Sequence, residues 1–188
     1  MIVVVDNRTD QPPSGDARAK NSMTTELVRT LAEHGHVRVV RSVEDAAGID
    51  LADVRAVVLS GSSKRLVEED SVRHAMPSVT MVVRALAHTP RIPVLGVCYG
   101  WQLLTRLFGG TVVRRPASAP RVYEHDGLYC NHNDSVPVNT AGWKVLSQDA
   151  GFVLTAESAD GQIVGVQWHP EGTEKGKRWL LDWLGCPK

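Results

Sequence analysis

The sequence has few of the features that mark secreted, membrane or nucleic-acid-binding proteins. Its 188 residues include three cysteines, Cys98, Cys130 and Cys186, and 21 basic residues balance 21 acidic ones. A small and odd number of cysteines argues against a disulfide scaffold and for a reducing cytoplasm. No two of them have the spacing of a zinc site, so we predict no structural metal. The zero net charge provides no field that would attract nucleic acid or anionic lipid.

Long apolar runs are also missing. No stretch approaches the roughly 18 apolar residues that a membrane-spanning helix needs. The apolar opening Ile2–Val5 has no basic leader, so it is typical of a buried strand and not of a signal peptide. We therefore expect a cytoplasmic protein without membrane or nucleic-acid partners.

The first half of the chain alternates between short β-branched runs and helical stretches. This alternation, with strands apolar on both faces, predicts an α/β fold with an open, mostly parallel, twisted sheet covered by helices on both faces. The predicted strands are Ile2–Val5, Val37–Val40, Ala56–Leu59 and Val94–Val97, and the predicted helices include Ser22–His34, a stretch that ends near His88, and Gly100–Phe108.

The second half is richer in short strands, and only its end returns to a helix. We predict that these strands are added to the same sheet and that residues 1–188 form one domain, since no repeat or linker interrupts the pattern. The predicted strands are Thr111–Val113, Leu128–Asn131, Lys144–Leu146, Phe152–Ala156 and Ile163–Gln167, and the last helix runs from about Lys175 to Leu184.

The clearest functional signal is Cys98, which directly follows the buried strand Val94–Val97. Gly96 and Gly100 flank the cysteine two positions to either side, and a helix begins just after it. This is the pattern of a nucleophile elbow, in which a tight strand-to-helix turn exposes a reactive side chain at the carboxyl edge of a sheet. The N-terminus of the helix also favours a thiolate. The alternative is that Cys98 is a small core residue, as most cysteines are.

A second signal lies near the C-terminus, where His169-Pro170-Glu171 follows the predicted strand Ile163–Gln167. If the extended geometry continues, His169 and Glu171 point to the same side, because side chains alternate along a strand. Glu171 would then orient the imidazole while the other ring nitrogen faces the thiol, as in a nucleophile, base and orienter triad. The alternative is an ordinary surface histidine beside a glutamate.

Taken together, these two segments resemble the class I (triad) glutamine amidotransferases. Residues 96–102, Gly-Val-Cys-Tyr-Gly-Trp-Gln, are similar to the nucleophile motif of the family, and residues 165–171, Gly-Val-Gln-Trp-His-Pro-Glu, to its His/Glu motif. The resemblance implies the open-sheet fold of that family. Three further segments, at 1–7, 132–136 and 173–176, are most similar to free-standing glutaminase subunits of GMP synthetase, although the glutaminase subunits of anthranilate and aminodeoxychorismate synthases share the core motifs.

The resemblance implies a mechanism and a partner. The Cys98 thiolate would attack the side-chain amide of glutamine, and His169 would protonate the departing ammonia and then activate water. The oxyanion hole would consist of the Tyr99 N–H and an N–H near Gly61 and Ser62. The ammonia would pass to a synthetase on a separate chain, and no cofactor would be needed. The positions implied to hold the substrate glutamine are Gln102, Asn131, His132 and Asp134.

This sequence departs from the family pattern in three places. The family usually has Ser-Gly-Gly-Pro where this chain has Ser60-Gly61-Ser62-Ser63, and a serine at 62 disfavours a positive φ. An oxyanion hole that forms only with a partner, and a low basal activity, are therefore one expectation. The segment 114–128 is short where relatives have additional strands. Trp101 and Trp168 are expected to change the partner-facing surface or to narrow the pocket.

Two other functions remain open at this point. The same scaffold supports γ-glutamyl peptidases, which differ chemically only in the leaving amine. A catalytically silent binding or regulatory subunit would keep the fold without turnover; the altered oxyanion loop favours it, and the presence of all three triad residue types argues against it.

Overall fold

The computed structural model describes residues 1–8, 17–66 and 75–185, with the side chains of 17–22 excepted. Cys186, most of the loop before α1 and the stretch 67–74 lie outside the described residues. The helices are α1 Ala17–Ala32, α2 Val43–Ala47, α3 Met76–Ala87, α4 Tyr99–Leu107 and α5 Glu174–Trp183. The strands are β1 Ile2–Val5, β2 Val37–Val40, β3 Ala56–Leu59, β4 Val94–Val97, β5 Val113–Arg114, β6 Val122–His125, β7 Leu128–Asn131, β8 Asp134–Ser135, β9 Lys144–Asp149, β10 Phe152–Glu157 and β11 Ile163–Val166.

Across these described ranges the main sheet has seven strands in the order β2-β1-β3-β4-β11-β10-β9. Five of them, from β2 to β11 in that order, are mutually parallel, and β10 and β9 continue the sheet in antiparallel pairing. The prediction of a mostly parallel sheet with strands added from the second half is confirmed. In the part of the chain described here, no helix is long and apolar enough to cross a membrane.

The prediction that every strand of the second half joins the main sheet is wrong. Strands β5 and β8 form a separate two-stranded sheet, and β6 and β7 form another. The main sheet ends at β2 and β9. The four short strands satisfy their backbone hydrogen bonds outside it, β5 by pairing with β8 and β6 by pairing with β7. β6 also shows that the short segment 114–128 contains a strand of its own.

The main sheet has an apolar core on each face, because alternate residues of its strands point to opposite sides. Val3 and Val5 pack with α2, α3 and α4 on one face, while Ile2 and Val4 pack with α1 and α5 on the other. The predicted covering of both faces by helices is thereby confirmed. The carboxyl ends of β1, β3, β4 and β11 meet at one edge of the sheet, where the loops that follow these strands come together.

Both tryptophans that were expected at the partner surface or in the pocket lie in the core instead. Trp101 has no exposed surface, and its ring meets Trp143 edge-on with ring centroids 4.6 Å apart. Trp168 is 1% exposed, packs edge-on against Trp179 and donates a hydrogen bond to Thr155 Oγ1 (3.1 Å). The expectation was wrong because the first turn of α4 rests directly on β11, where Gly165 makes room for the Trp101 ring.

Candidate active site

Cys98 occupies a strained turn between β4 and α4. Its backbone has φ 50° and ψ −101°, in the left-handed half of φ that residues with a side chain rarely adopt. Such strain at a strand-to-helix corner is what a nucleophile elbow requires. The corner is tight enough that a Cβ on Gly100 would stand 2.4 Å from the Leu59 carbonyl oxygen. The glycine therefore allows α4 to begin immediately after Cys98.

Cys98 is 4% exposed, but it forms part of the wall of a cavity. The cavity has a volume of about 340 Å³, including its open mouth, and polar side chains dominate its lining. The lining residues are Ser62, Ser63, Lys64, Arg65, Cys98, Gln102, Arg121, Asn131, His132, Asn133 and Asp134. Four predicted substrate-binding residues, Gln102, Asn131, His132 and Asp134, are thus brought together around the thiol.

The imidazole of His169 and the carboxylate of Glu171 form a buried pair. Nδ1–H of His169 donates to Glu171 Oε1 at 2.9 Å, and the two residues are 4% and 3% exposed. The predicted route to this pairing is wrong, since the chain does not stay extended. His169 is extended and bonds the Tyr129 backbone, but Pro170–Gly172 form a 3-10 turn. The turn brings Glu171 back under the ring.

The imidazole of His169 lies between the carboxylate of Glu171 and the thiol side of Cys98. Burial alone would lower the pKa of this imidazole, but the charges of Glu171 and Cys98, with hydrogen bonds to both, raise the pKa above its ordinary value. Because Nδ1 is committed to Glu171, the other ring nitrogen is the one available to Cys98. The arrangement can hold a proton on His169 next to the sulfur.

Gly61, in the loop after β3, lies against both side chains. A Cβ built on it would stand 2.9 Å from His169 Cε1 and 3.7 Å from Cys98 Cβ. Ser62 is not among the described residues with positive φ. A serine in place of the family's glycine therefore causes no backbone strain at this position. Tyr99 begins α4, where a first-turn N–H has no partner within the helix.

The side chains of Gln102 and Gln167 form a hydrogen-bonded cluster next to the thiol. Gln102 Nε2 donates to the Asp134 carbonyl (2.7 Å) and to Gln167 Oε1 (3.3 Å), and Gln167 Nε2 lies 3.7 Å from the Cys98 sulfur. The carboxylate of Asp134 is held by two nitrogens of Arg65 at 2.9 and 3.1 Å. Sequence reasoning missed Gln167 and Arg65, although Gln167 stands inside the quoted His/Glu motif.

Asn131 and His132 contribute in different ways. The Asn131 carbonyl lies 3.8 Å from the Cys98 sulfur. The imidazole of His132 is committed to an internal network, in which Nε2 meets the Tyr123 hydroxyl and Nδ1 lies 3.1 Å from both the Asp134 carbonyl and Ser135 Oγ. Burial, aided by the charge of Arg115, lowers the pKa of His132 to about 4. His132 is therefore neutral at neutral pH.

The neutral His132 predicts an acid dependence of stability. Its pKa is about 4 in the folded protein and 6.5 in the unfolded chain, so the unfolded chain binds a proton more readily. The contribution is complete above pH 6.5 and is lost as the pH falls from 6.5 to 4, on the order of 3 kcal/mol. Urea unfolding across this range should show a smaller loss for His132→Gln than for wild type, whereas the exposed His36→Gln should behave like wild type. Equal acid losses in all three proteins would contradict the assignment.

The fold and the site together define an α/β protein with a cysteine elbow and an imidazole–carboxylate pair at one sheet edge. The family model of class-I glutamine amidotransferases matches residues 18–183, and the chain belongs to this family. The predicted family and enzyme class are confirmed. Among similar curated proteins are GMP synthases (glutamine-hydrolysing) of Thermomicrobium roseum, 28% identical over 81% of this chain, and Thermus thermophilus, 30% identical over 69%. The chain spans 31% and 27% of their lengths.

Solved structures support the same fold. A protein of Thermoplasma acidophilum, provisionally assigned as one subunit of GMP synthase, superposes with a TM-score of 0.71 at 22% identity, covering 98% of this chain and 92% of its own. A glutamine amidotransferase of Thermotoga maritima gives a TM-score of 0.63 at 16% identity, covering 97% and 81%. At these identities the likeness is one of fold.

Proposed function

We propose that this chain hydrolyses the side-chain amide of glutamine through a thioester on Cys98 and supplies the ammonia to a synthetase partner. The observation that carries the proposal is the meeting of the Cys98 elbow and the His169–Glu171 pair around Gly61, beside a polar cavity. Two signals far apart in the sequence thus come together at one sheet edge, as a shared catalytic task requires.

In the first half of the reaction, the Cys98 sulfur attacks the amide carbon and His169 gives its proton to the departing ammonia. In the second half, His169 takes a proton from water, which attacks the thioester and releases glutamate. Glu171 keeps the imidazole in the required orientation and tautomer. The N–H groups of Tyr99 and Ser62 stabilise the oxyanion of each tetrahedral intermediate, and Gly61 lets the loop after β3 approach the thiol closely.

The cavity residues hold the substrate glutamine. The Gln102 side chain is held by the Asp134 carbonyl and by Gln167. These hydrogen bonds fix its polar groups in the cavity wall before substrate enters. Since the His132 imidazole is committed to the internal network, His132 acts through its backbone, as does Asn131 through the carbonyl that faces the sulfur. Asp134 and Arg65 form an ion pair in the wall.

The proposed partner follows from the relatives. The curated relatives named above are GMP synthases (glutamine-hydrolysing), of whose length this chain spans 31% and 27%, so the acceptor chemistry would belong to a synthetase unit. We propose a GMP synthase-like role in cytoplasmic purine synthesis, with the synthetase on a separate chain. An anthranilate or aminodeoxychorismate synthase partner would leave the glutaminase chemistry unchanged.

The test compares substrates of the purified 188-residue chain. We expect glutamate release from free glutamine at a higher kcat/KM than release from γ-glutamyl dipeptides, together with glutamine-protected labelling of Cys98 by a chloroketone analogue of glutamine. A preference for the dipeptides would establish a γ-glutamyl hydrolase instead. If the chain shows no turnover and no glutamine-protected labelling, it is a silent binding subunit.

A further inference from the structure

The loop after β1 is joined closely to the loop after β3. The Asn7 backbone N–H donates to Ser60 Oγ (3.1 Å), its side-chain amide donates to the Ser60 carbonyl (2.8 Å), and Ser62 Oγ donates to the Asn7 carbonyl (2.9 Å). Asn7 is itself held by Ser78 Oγ at 2.7 Å. The position of the loop that contains Gly61 is therefore set by the residues that follow the first strand.

Arg8 completes this connection at the peptide next to the thiol. Its Nε donates to the Gly61 carbonyl at 3.3 Å, and the hydroxyl of the fully buried Ser60 donates to the same oxygen at 3.1 Å. A carbonyl with two donors is fixed in direction more strongly than one with a single donor. The rotation of the whole Gly61–Ser62 peptide plane is fixed with it, because the peptide bond is planar.

The other end of that peptide is the Ser62 N–H. In a trans peptide the N–H points opposite to the carbonyl, so an oxygen held by Arg8 and Ser60 directs the Ser62 N–H away from them. Ser62 lines the cavity together with Cys98, and no described residue accepts a hydrogen bond from its N–H. This is the condition that a preformed oxyanion donor has to meet.

The charge of Arg8 suits the same place. Burial lowers the pKa of this guanidinium, and the neighbouring negative charges of Glu171, Asp6 and Cys98 oppose that effect, so the guanidinium stays charged. Within the described residues, Arg8 Nη1 and Glu171 Oε2 are buried without hydrogen-bond partners. The structure therefore has a partly buried cation beside the site.

We propose that Arg8 is a positioning residue that, together with Ser60, holds the Gly61–Ser62 peptide with its N–H toward Cys98, so that the oxyanion hole is formed in the isolated chain. The inference rests on the proposed glutaminase function. It replaces the sequence-based expectation of a hole that forms only with a partner, and it predicts basal glutamine hydrolysis without any synthetase present.

The test measures glutaminase kinetics of the isolated 188-residue chain for wild type, Arg8→Met and Arg8→Lys. Wild type should release glutamate unaided. Because a hole donor contributes about 100-fold or more to kcat and Ser60 remains in Arg8→Met, we expect kcat to fall about tenfold or more with KM changed less than about twofold. Arg8→Lys, which keeps the charge and a donor, should recover part of that kcat. Arg91→Met removes an exposed arginine paired with Asp160 at the opposite edge of the sheet and serves as the matched control.

Several results would overturn the proposal. They are an unchanged kcat in Arg8→Met, a loss carried by KM alone, or a loss that Arg8→Lys does not reduce. Should Arg8→Met fail to fold, the comparison of wild type with Arg8→Lys decides, since a full loss with lysine contradicts a role through charge and donation. A wild-type chain that the chloroketone labels at Cys98 under glutamine protection, but that releases no glutamate alone, would overturn this inference and leave the proposed function intact. Absence of both would refute the function itself.

Discussion

Replacement of Cys98 by alanine is expected to lower glutamate release from glutamine by at least about 1,000-fold, since no other group can form the thioester. The thiol lines the cavity, and the imidazole of His169 beside it is committed to Glu171 through Nδ1. KM measurements on the residual activity and binding of glutamine by calorimetry should show that the substrate still enters the cavity. A rate for Cys98→Ala equal to that of wild type would exclude the thioester.

The matched control is Cys130→Ala. Cys130 is a fully buried cysteine of β7, and burial raises the pKa of its thiol to about 11, so it is protonated and inert at neutral pH. The substitution removes one sulfur from the core and should reduce stability by about 1 kcal/mol while leaving kcat/KM within a few-fold of wild type. If Cys130→Ala folds but loses most of its turnover, the loss in Cys98→Ala does not by itself identify Cys98 as the nucleophile.

Replacement of Gly165 by alanine is expected to lower the free energy of unfolding by about 3 kcal/mol or more, because the new methyl group has no space. A Cβ at this position would stand 1.8 Å from Cε3 of the fully buried Trp101. β11 and α4 would have to move apart, and His169 follows β11 by three residues while Cys98 directly precedes α4. Urea unfolding measures the loss, and Gly48→Ala is the control, since Gly48 has φ −80° and its Cβ would meet only the Glu44 and Asp45 carbonyls, at 3.3 and 3.8 Å.

A double variant separates this clash from a general intolerance of β11. Trp101→Leu opens a cavity where the alanine methyl group would stand, so the pair Trp101→Leu and Gly165→Ala should be more stable than the sum of the single losses by at least about 1 kcal/mol. Additive losses would mean that the tryptophan ring is not what excludes a side chain at position 165.

The strands of the parallel sheet could be predicted from the sequence because each is a short apolar run between polar loops. Ile2–Val5, Val37–Val40, Ala56–Leu59 and Val94–Val97 begin and end at the predicted residues. The elbow was predictable for a similar local reason: the glycines at 96 and 100 indicate close packing of a helix on two strands. A built Cβ at Gly96 would stand 2.6 Å from Leu104 Cδ1, which explains the pattern.

The remaining features depend on contacts between distant segments, to which a local pattern gives no access. Nothing near Arg8 in the sequence indicates that it reaches Gly61, 53 residues later. The 3-10 turn at Pro170–Gly172 replaces the expected extended chain, because Gly172 N–H bonds back to the His169 carbonyl. The expectation for Trp101 and Trp168 came from comparing their size with the family, whereas their burial depends on Gly165 and on the partner rings Trp143 and Trp179.

The place of β11 in the sheet has a consequence for synthesis of the protein. Of the strands of this sheet, β11 is the last to be made, yet it inserts between β4 and β10, which are made earlier. Until it arrives, β4 is an open edge and the cysteine that follows it has neither its imidazole nor a closed wall. Until β11 has been made, the open β4 edge is where a stalled chain would be most exposed to aggregation.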